Sequence, residues 1–140
     1  MSERNGRCLC GAVSFTLASD PVVTRICWCR DCQHQSANGV ANLLVSADSL
    51  TFEGEIAEFT KKADSGNTIT RQFCPTCGTQ LFAKVDVRPQ FRVVRAGNLD
   101  DTSSIKPNMN IWTTSAPKWA CLDMTLEQSD HQAPPPKPTA

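Results

Sequence analysis

Short runs of alternating apolar and polar residues follow one another along the chain. Residues 12–17 read AVSFTL and residues 80–85 read QLFAKV, so in each run every second side chain is apolar. A period of two predicts half-buried β-strands. Comparable runs, rich in β-branched or aromatic residues, predict further strands at 21–28, 40–45, 50–54, 67–73, 91–97, 110–119 and 121–126.

The segments between these runs carry turn-forming residues, mainly Gly, Asp, Asn, Ser and Pro. The stretch SADSLTFEGE (46–55) reads as a hairpin with a solvated charged face, and RDCQHQSA (30–37) is the one helical turn that we expect. The pattern therefore predicts a mostly β protein.

The C-terminal residues 129–140 read SDHQAPPPKPTA and contain no large apolar side chain. A segment of this composition buries too little surface to offset the entropy lost on ordering. We therefore expect a disordered, proline-rich tail at 129–140 and a single folded domain at 1–128.

Charge and hydropathy exclude several classes of protein. Lys and Arg together number 14, as do Asp and Glu, so the chain lacks the basic footprint of a nucleic-acid-binding protein. No apolar run approaches the ~18–20 residues that span a bilayer, and MSERNGRCLCG lacks the apolar core of a secretory signal. We expect a cytoplasmic protein that binds neither nucleic acid nor a membrane.

Cysteine is the residue type that points to chemistry. Seven of the eight cysteines form three groups, which are C-x-C at Cys8 and Cys10, C-x-C-x-x-C at Cys27, Cys29 and Cys32, and C-x-x-C at Cys74 and Cys77. In a reducing compartment, clustered cysteines are usually metal ligands or redox groups. A disulfide framework in an exported protein is the alternative, and a redox role for the C-x-x-C pair alone is another.

The spacing of these groups suggests two zinc sites. Thiolates at the C-x-x-C spacing can face one metal ion, and Gly78 allows the chain to turn sharply afterwards. Together with the first pair they complete a four-cysteine site, which is typical of a structural zinc. Three cysteines then remain, and three protein ligands with a fourth position open are typical of a catalytic zinc.

The order of these motifs resembles the glutathione-dependent formaldehyde-activating enzyme family, which also includes centromere protein V. The resemblance covers about residues 6–126 and includes F-C-x-x-C-G at 73–78 and P-x-x-x-I-W-x-x-S-A-P-x-W at 107–119. It implies a zinc-stapled β-tent fold of small antiparallel sheets. It also implies a structural zinc on Cys8, Cys10, Cys74 and Cys77, and a catalytic, more labile zinc on Cys27, Cys29 and Cys32.

The activity implied by the resemblance is that of a carbon–sulfur lyase similar to S-hydroxymethylglutathione synthase, acting on a small-molecule thiol or its aldehyde adduct. A zinc ion with three thiolates is soft and electron-rich, which suits exchange of a further thiolate. The alternative is a non-catalytic zinc-binding module in which both metals are structural. A fourth protein ligand at the triplet, such as His34 or Cys121, would favour the module.

The chain departs from the family pattern at two positions. Trp28 lies between Cys27 and Cys29, where members of the family commonly have a histidine (C-H-C). Asn110 stands where a histidine often precedes I-W. The chain is also short for a site that holds a tripeptide, and we therefore expect a thiol smaller than glutathione to be preferred.

Several other side chains have both a functional and a structural interpretation. His34 is either an acid–base group or a surface residue, and Cys121 is either a ligand or a small buried residue. Arg25, Arg30 and Arg71 either bind a substrate carboxylate or lie exposed on strands. Among the tryptophans, we expect Trp28 to form a pocket wall and Trp112 and Trp119 to anchor the core.

Overall fold

The computed structural model describes residues 3–136, which form two β-sheets and one short helix, α1 (Arg30–Ser36). No helix in this part of the chain is long and apolar enough to cross a membrane. The strands in chain order are β1 (Arg4–Arg7), β2 (Ser14–Leu17), β3 (Val23–Cys27), β4 (Val40–Ser46), β5 (Leu50–Glu53), β6 (Ala57–Lys62), β7 (Thr68–Phe73), β8 (Gln80–Val85), β9 (Phe91–Arg95), β10 (Met109–Ile111) and β11 (Glu127–Gln128).

The smaller sheet has the order β1-β2-β5, and the larger has the order β11-β10-β3-β4-β9-β8-β7-β6. Most neighbours are antiparallel, but β10 runs parallel to both β3 and β11. The prediction of a mostly β, single-domain fold is confirmed. Because β3 leads directly into α1, the cysteine triplet lies at the end of a central strand of the larger sheet.

The hydrophobic core fills the space between the two sheets. Leu43, Val94 and Phe82 lie side by side in register on β4, β9 and β8, and all three are fully buried. The ring of Phe82 meets Phe15 of the smaller sheet edge to face, with centroids 5.2 Å apart. Because side chains alternate along a strand, the residues between these lie on the opposite face of the larger sheet.

The stretch 46–55 is not the predicted hairpin. After β4 the chain forms a single 3₁₀ turn at Ala47–Ser49, and β5 then pairs with β2 in the other sheet. A hairpin and a crossover between sheets give the same apolar pattern on either side of the turn, because each strand buries one face in the shared core in either arrangement. The residues therefore cross from one sheet to the other.

The strand predicted at 110–119 ends early. β10 stops at Ile111, because Trp112 adopts a left-handed conformation with φ 57° and Thr113–Ser115 form a 3₁₀ turn. Residues 121–126, also predicted as a strand, form loops and a turn before β11. The sequence pattern missed β1 and β6, whose residues are mostly polar and exposed.

Residues 129–133, in the tail that the sequence predicts to be disordered, contact the end of β10. The N–H groups of Trp112 and Thr113 donate to the carbonyls of His131 and Ser129, and Ala133 is only 2% exposed. Backbone groups that β10 leaves unpaired at its end thus hold the segment, which composition alone does not reveal. Residues 137–140 of the predicted tail lie outside the described residues.

Candidate metal centres and the adjoining cavity

The first candidate metal centre joins the two sheets. Cys8 and Cys10 lie in the turn between β1 and β2, and Cys74 and Cys77 lie in the turn between β7 and β8. The four sulfur atoms are all within 4.8 Å of one another. Residues that are far apart in sequence, on different sheets, therefore form one compact donor set.

The spacing of these sulfurs fits a tetrahedral zinc site. The Sγ atom of Cys10 lies 3.7 Å from that of Cys8 and 3.8 Å from that of Cys74. Four sulfurs at about 2.3 Å from a central zinc ion are about 3.8 Å apart, whereas a disulfide bond measures about 2.05 Å. The donor type, number and separation all suit zinc.

Hydrogen-bond donors surround several sulfur atoms of this centre. Val13 donates its N–H to the Cys8 sulfur at 3.3 Å, and the Cys77 N–H reaches the Cys74 sulfur at 3.5 Å. The Thr79 hydroxyl lies 3.1 Å from the sulfur of Cys77. Hydrogen bonds from the hydroxyl and backbone of Thr79 lower the pKa of Cys77 to about 5.

The second candidate centre lies where β3 meets α1. Cys27 is the last residue of β3, Cys29 is the N-cap residue of α1, and Cys32 is in the first turn. The three sulfur atoms lie within 4.8 Å of one another, with Cys27 and Cys32 buried and Cys29 partly exposed. The Cys32 N–H donates to the Cys29 sulfur at 3.3 Å, as expected for a residue at the N-cap of a helix.

Positive charge borders this triplet. Arg95 places its Nη1 atom 4.0 Å from the Cys32 sulfur, while Asn42 and Gln35 accept hydrogen bonds from the same guanidinium at 2.5 and 2.9 Å. The thiols of Cys27 and Cys29 lower the pKa of Cys32 to about 2, and the charges of Arg95 and Arg71 contribute in the same direction while burial opposes it. Negative charge is therefore stabilised at Cys32, while the hydrogen bonds with Cys29 and Cys32 raise the pKa of Cys27.

A cavity of about 130 Å³ opens beside the triplet, on the face of the larger sheet that points away from the core. Its floor follows the strand register, in which Arg25, Asn42 and Arg95 lie side by side on β3, β4 and β9. The turn at 63–65 between β6 and β7 forms another wall, and Trp112 also lines the cavity. None of the four cysteines of the first centre lines it.

Neither of the two alternative ligands joins the triplet. His34 lies on the exposed side of α1, and Cys121 is exposed in the loop before β11, so the prediction of a buried Cys121 is wrong. Both lie outside the group of sulfur atoms at the triplet. Within residues 3–136, the triplet therefore has no fourth histidine, cysteine or carboxylate ligand.

Two tryptophan predictions are wrong and one arginine was missed. Trp28 is 4% exposed and lies outside the cavity, because it follows Cys27 by one residue and points away from it. Trp119 is 70% exposed and anchors no core. The sequence interpretation did not include Arg95, which also lines the cavity. Side chains alternate along β9, so Arg95 lies on the same face as Phe91, and this alternation is the sequence signal for its position.

The two positions that depart from the family pattern contact each other. The Trp28 Nε1–H donates to the Asn110 side-chain oxygen at 3.3 Å, and both residues are buried. A Cβ atom on Gly39 would lie 2.6 Å from the Trp28 ring, so the indole occupies space that only glycine leaves open. The pair thus packs as a unit behind the triplet.

Of the arginines proposed to bind substrate, Arg25 and Arg71 line the cavity, whereas Arg30 donates to Gln33 and does not line it. The cavity therefore combines the cysteine triplet with guanidinium groups from several strands. This arrangement can hold a sulfur ligand at one end and an anionic group nearby.

Comparisons with known proteins agree with this structure. Residues 3–115 match the family described as glutathione-dependent formaldehyde-activating enzyme, and no curated protein matches the chain. A crystal structure of a Rhodobacter sphaeroides protein, a Northeast Structural Genomics target, is similar with a TM-score of 0.56 and 19% identity, over 74% of this chain and 91% of that one. That likeness concerns the fold alone. Because the family match spans most of the sequence, the chain belongs to the glutathione-dependent formaldehyde-activating enzyme family.

Proposed function

We propose that this chain is a zinc-dependent enzyme that forms or cleaves the carbon–sulfur bond between a small thiol and an aldehyde. The observation that carries the proposal is the cysteine triplet, which borders a cavity and has no fourth protein ligand within the described residues. Four cysteines at the other centre complete a ligand set away from that cavity. This contrast is typical of one catalytic and one structural zinc.

In this proposal, the four-cysteine centre holds a structural zinc, and Cys27, Cys29 and Cys32 hold a more labile one. Held by these three thiolates, the zinc ion would supply a soft Lewis-acidic position for a substrate sulfur and would lower the pKa of the substrate thiol. The triplet is expected to be the more labile site because three protein ligands bind the metal less firmly than four.

The protein groups around the triplet control charge and orientation. Arg95, held by Asn42 and Gln35, offsets negative charge beside Cys32. Val23, Leu44 and other apolar side chains cover part of the cavity wall and limit the access of water. Holding the thiol and the aldehyde together in this small space also supplies part of the rate enhancement.

The reaction needs no oxidant or reductant. The substrate sulfur attacks the carbonyl carbon, a C–S bond forms, and the π-electron pair of the carbonyl moves to its oxygen. That oxygen takes up the proton that the thiol gives up, and the product is a thiohemiacetal. In the reverse direction the C–S bond breaks and the sulfur leaves as a thiolate.

We expect the zinc-loaded protein to speed the exchange between a free thiol and its hydroxymethyl adduct in proportion to the protein concentration. Exchange spectroscopy by NMR on thiol and formaldehyde mixtures measures this directly. Protein treated with a chelator strong enough to empty the triplet serves as the control and is expected to return the rate to that of buffer. An exchange rate that is the same with and without zinc-loaded protein would contradict the proposal.

A further inference from the structure

The cavity beside the triplet is rich in arginine. Two carboxylates, Asp31 and Asp64, also line it, so arginine is in clear excess. The arginines that line it are Arg25, Arg71, Arg88, Arg92 and Arg95. The two aspartates and the net negative charge of a zinc ion with three thiolates balance only part of this positive charge.

One of these arginines has unused hydrogen-bonding capacity in a buried position. The side chain of Arg71 is 4% exposed, and its Nη2 atom lies 3.6 Å from the Asp31 carboxylate. Its Nε and Nη1 atoms are buried without a hydrogen-bond partner among the described residues. Buried guanidinium donors without an acceptor are costly, so Nε and Nη1 of Arg71 are available to an acceptor group that enters the cavity.

Three other arginines that line the cavity lack carboxylate partners. Within residues 3–136, Arg25, Arg88 and Arg92 form no ion pair. Arg25 instead donates to the backbone carbonyl of Pro134 at 2.9 Å, and Arg92 donates to the carbonyls of Pro89 and Phe91.

The environment of Arg25 shows that like charges lie close together here. Partial burial lowers the pKa of Arg25, and the charge of Arg88 lowers it further. A wall with low dielectric constant concentrates this positive potential in the cavity and raises the local concentration of anions. An incoming oxyanion would relieve the repulsion between the two guanidinium groups.

We infer that the cavity binds the oxyanion end of a short thiol, with Arg25 and Arg88 as specificity-determining residues and the free donors of Arg71 as additional contacts. The inference rests on the proposed function, since the sulfur of the same molecule is assigned to the triplet. At about 130 Å³ the cavity is smaller than the ~300–1,000 Å³ of sites for drug-sized ligands. A carboxylate or sulfonate only a few bonds from the sulfur fits this volume.

The test compares thiols of similar size and different charge. We expect the kcat/KM of the wild type for 3-mercaptopropionate to exceed that for neutral 2-mercaptoethanol by about tenfold to a hundredfold, and cationic cysteamine to be the poorest. Using 2-mercaptoethanesulfonate in parallel shows whether a sulfonate or a carboxylate is preferred. Equal kcat/KM values for the anionic and neutral thiols would overturn the inference.

Substitution of the arginines shows which residues produce the preference for anionic thiols. Arg88→Gln and Arg25→Gln are each expected to lower the ratio of kcat/KM for the anionic thiol to that for the neutral thiol by about tenfold, mainly through KM. Arg88 is the cleaner site, because its side chain makes no hydrogen bond within the described part of the chain, whereas Arg25 also contacts Pro134. Arg7→Gln, on a 68% exposed side chain outside the cavity, is the matched control and should keep the wild-type ratio.

Direct binding separates this inference from the proposed function. Propionate carries the carboxylate without a thiol, and its binding can be followed by NMR on the arginine Nε–H signals of the wild type and of Arg88→Gln. Propionate binding that Arg88→Gln weakens supports the oxyanion site even if no thiol is turned over. Turnover of thiols regardless of charge, with no binding of propionate, would overturn the oxyanion site and leave the proposed function standing.

Discussion

Replacing Cys74 by serine is expected to remove one of the two proposed zinc ions and to abolish cooperative folding. Cys74 is fully buried, and its sulfur belongs to the donor set that ties the β1–β2 turn to the β7–β8 turn. Binding of a structural zinc is worth about 10–16 kcal/mol in small zinc-finger peptides, and a whole domain is stable by about 5–15 kcal/mol. Loss of this ion therefore removes a large part of the stability. Zinc analysis and thermal melting by circular dichroism measure both effects.

Cys121 provides the matched control for this substitution. It is exposed and lies outside both cysteine clusters, so Cys121→Ser makes the same chemical change where no metal ligand is expected. That variant should keep the zinc content and melting temperature of the wild type. If Cys74→Ser behaves as Cys121→Ser does, the four-cysteine centre does not stabilise the fold through a metal.

Replacing Cys29 by alanine is expected to abolish turnover while leaving the fold and the first zinc in place. Cys29 is the partly exposed member of the triplet, at the N-cap of α1. Losing a ligand empties the triplet, and the Lewis-acid contribution of a metal is worth several kcal/mol, or about 1,000-fold in rate. Losing the N-cap interaction costs only about 1 kcal/mol, which lowers the melting temperature by a few degrees.

Two measurements on the same Cys29→Ala sample distinguish a loss of activity from a loss of stability. Thermal melting follows the fold, and NMR exchange of the thiol adduct follows the chemistry, with Cys121→Ala as the control for both. A melting temperature far below that of the wild type would instead make the triplet a second structural centre, and the proposed enzyme would lose its main support.

The cysteine groups were recognised from sequence because their spacing is itself the signal. The spacings C-x-C and C-x-x-C place sulfur atoms within reach of one metal ion wherever the flanking strands lie. In the structure, the sulfur atoms of each predicted centre lie close together. The apolar alternation likewise predicted the central strands. It missed β1 and β6, whose exposed and largely polar residues show no apolar period.

Other features depend on which strands become neighbours, and no local pattern contains that information. Arg95 reaches the Cys32 sulfur only because β9 pairs with β4 and β4 with β3. Trp28 stands between two cysteines in the sequence, but it follows Cys27 by one residue, so its side chain points away from the cavity. The contacts of residues 129–131 depend on the unpaired backbone at the end of β10, which composition does not reveal.

The central claim is that the triplet holds a zinc ion with one position open to a ligand from outside the chain. An anomalous-difference map, collected at the zinc edge on crystals of zinc-loaded protein, tests it most directly. We expect a peak among Cys27, Cys29 and Cys32 with sulfur at about 2.3 Å on three sides and water or an added thiol on the fourth. A protein side chain in the fourth position, or a peak at the four-cysteine centre alone under saturating zinc, would contradict the claim.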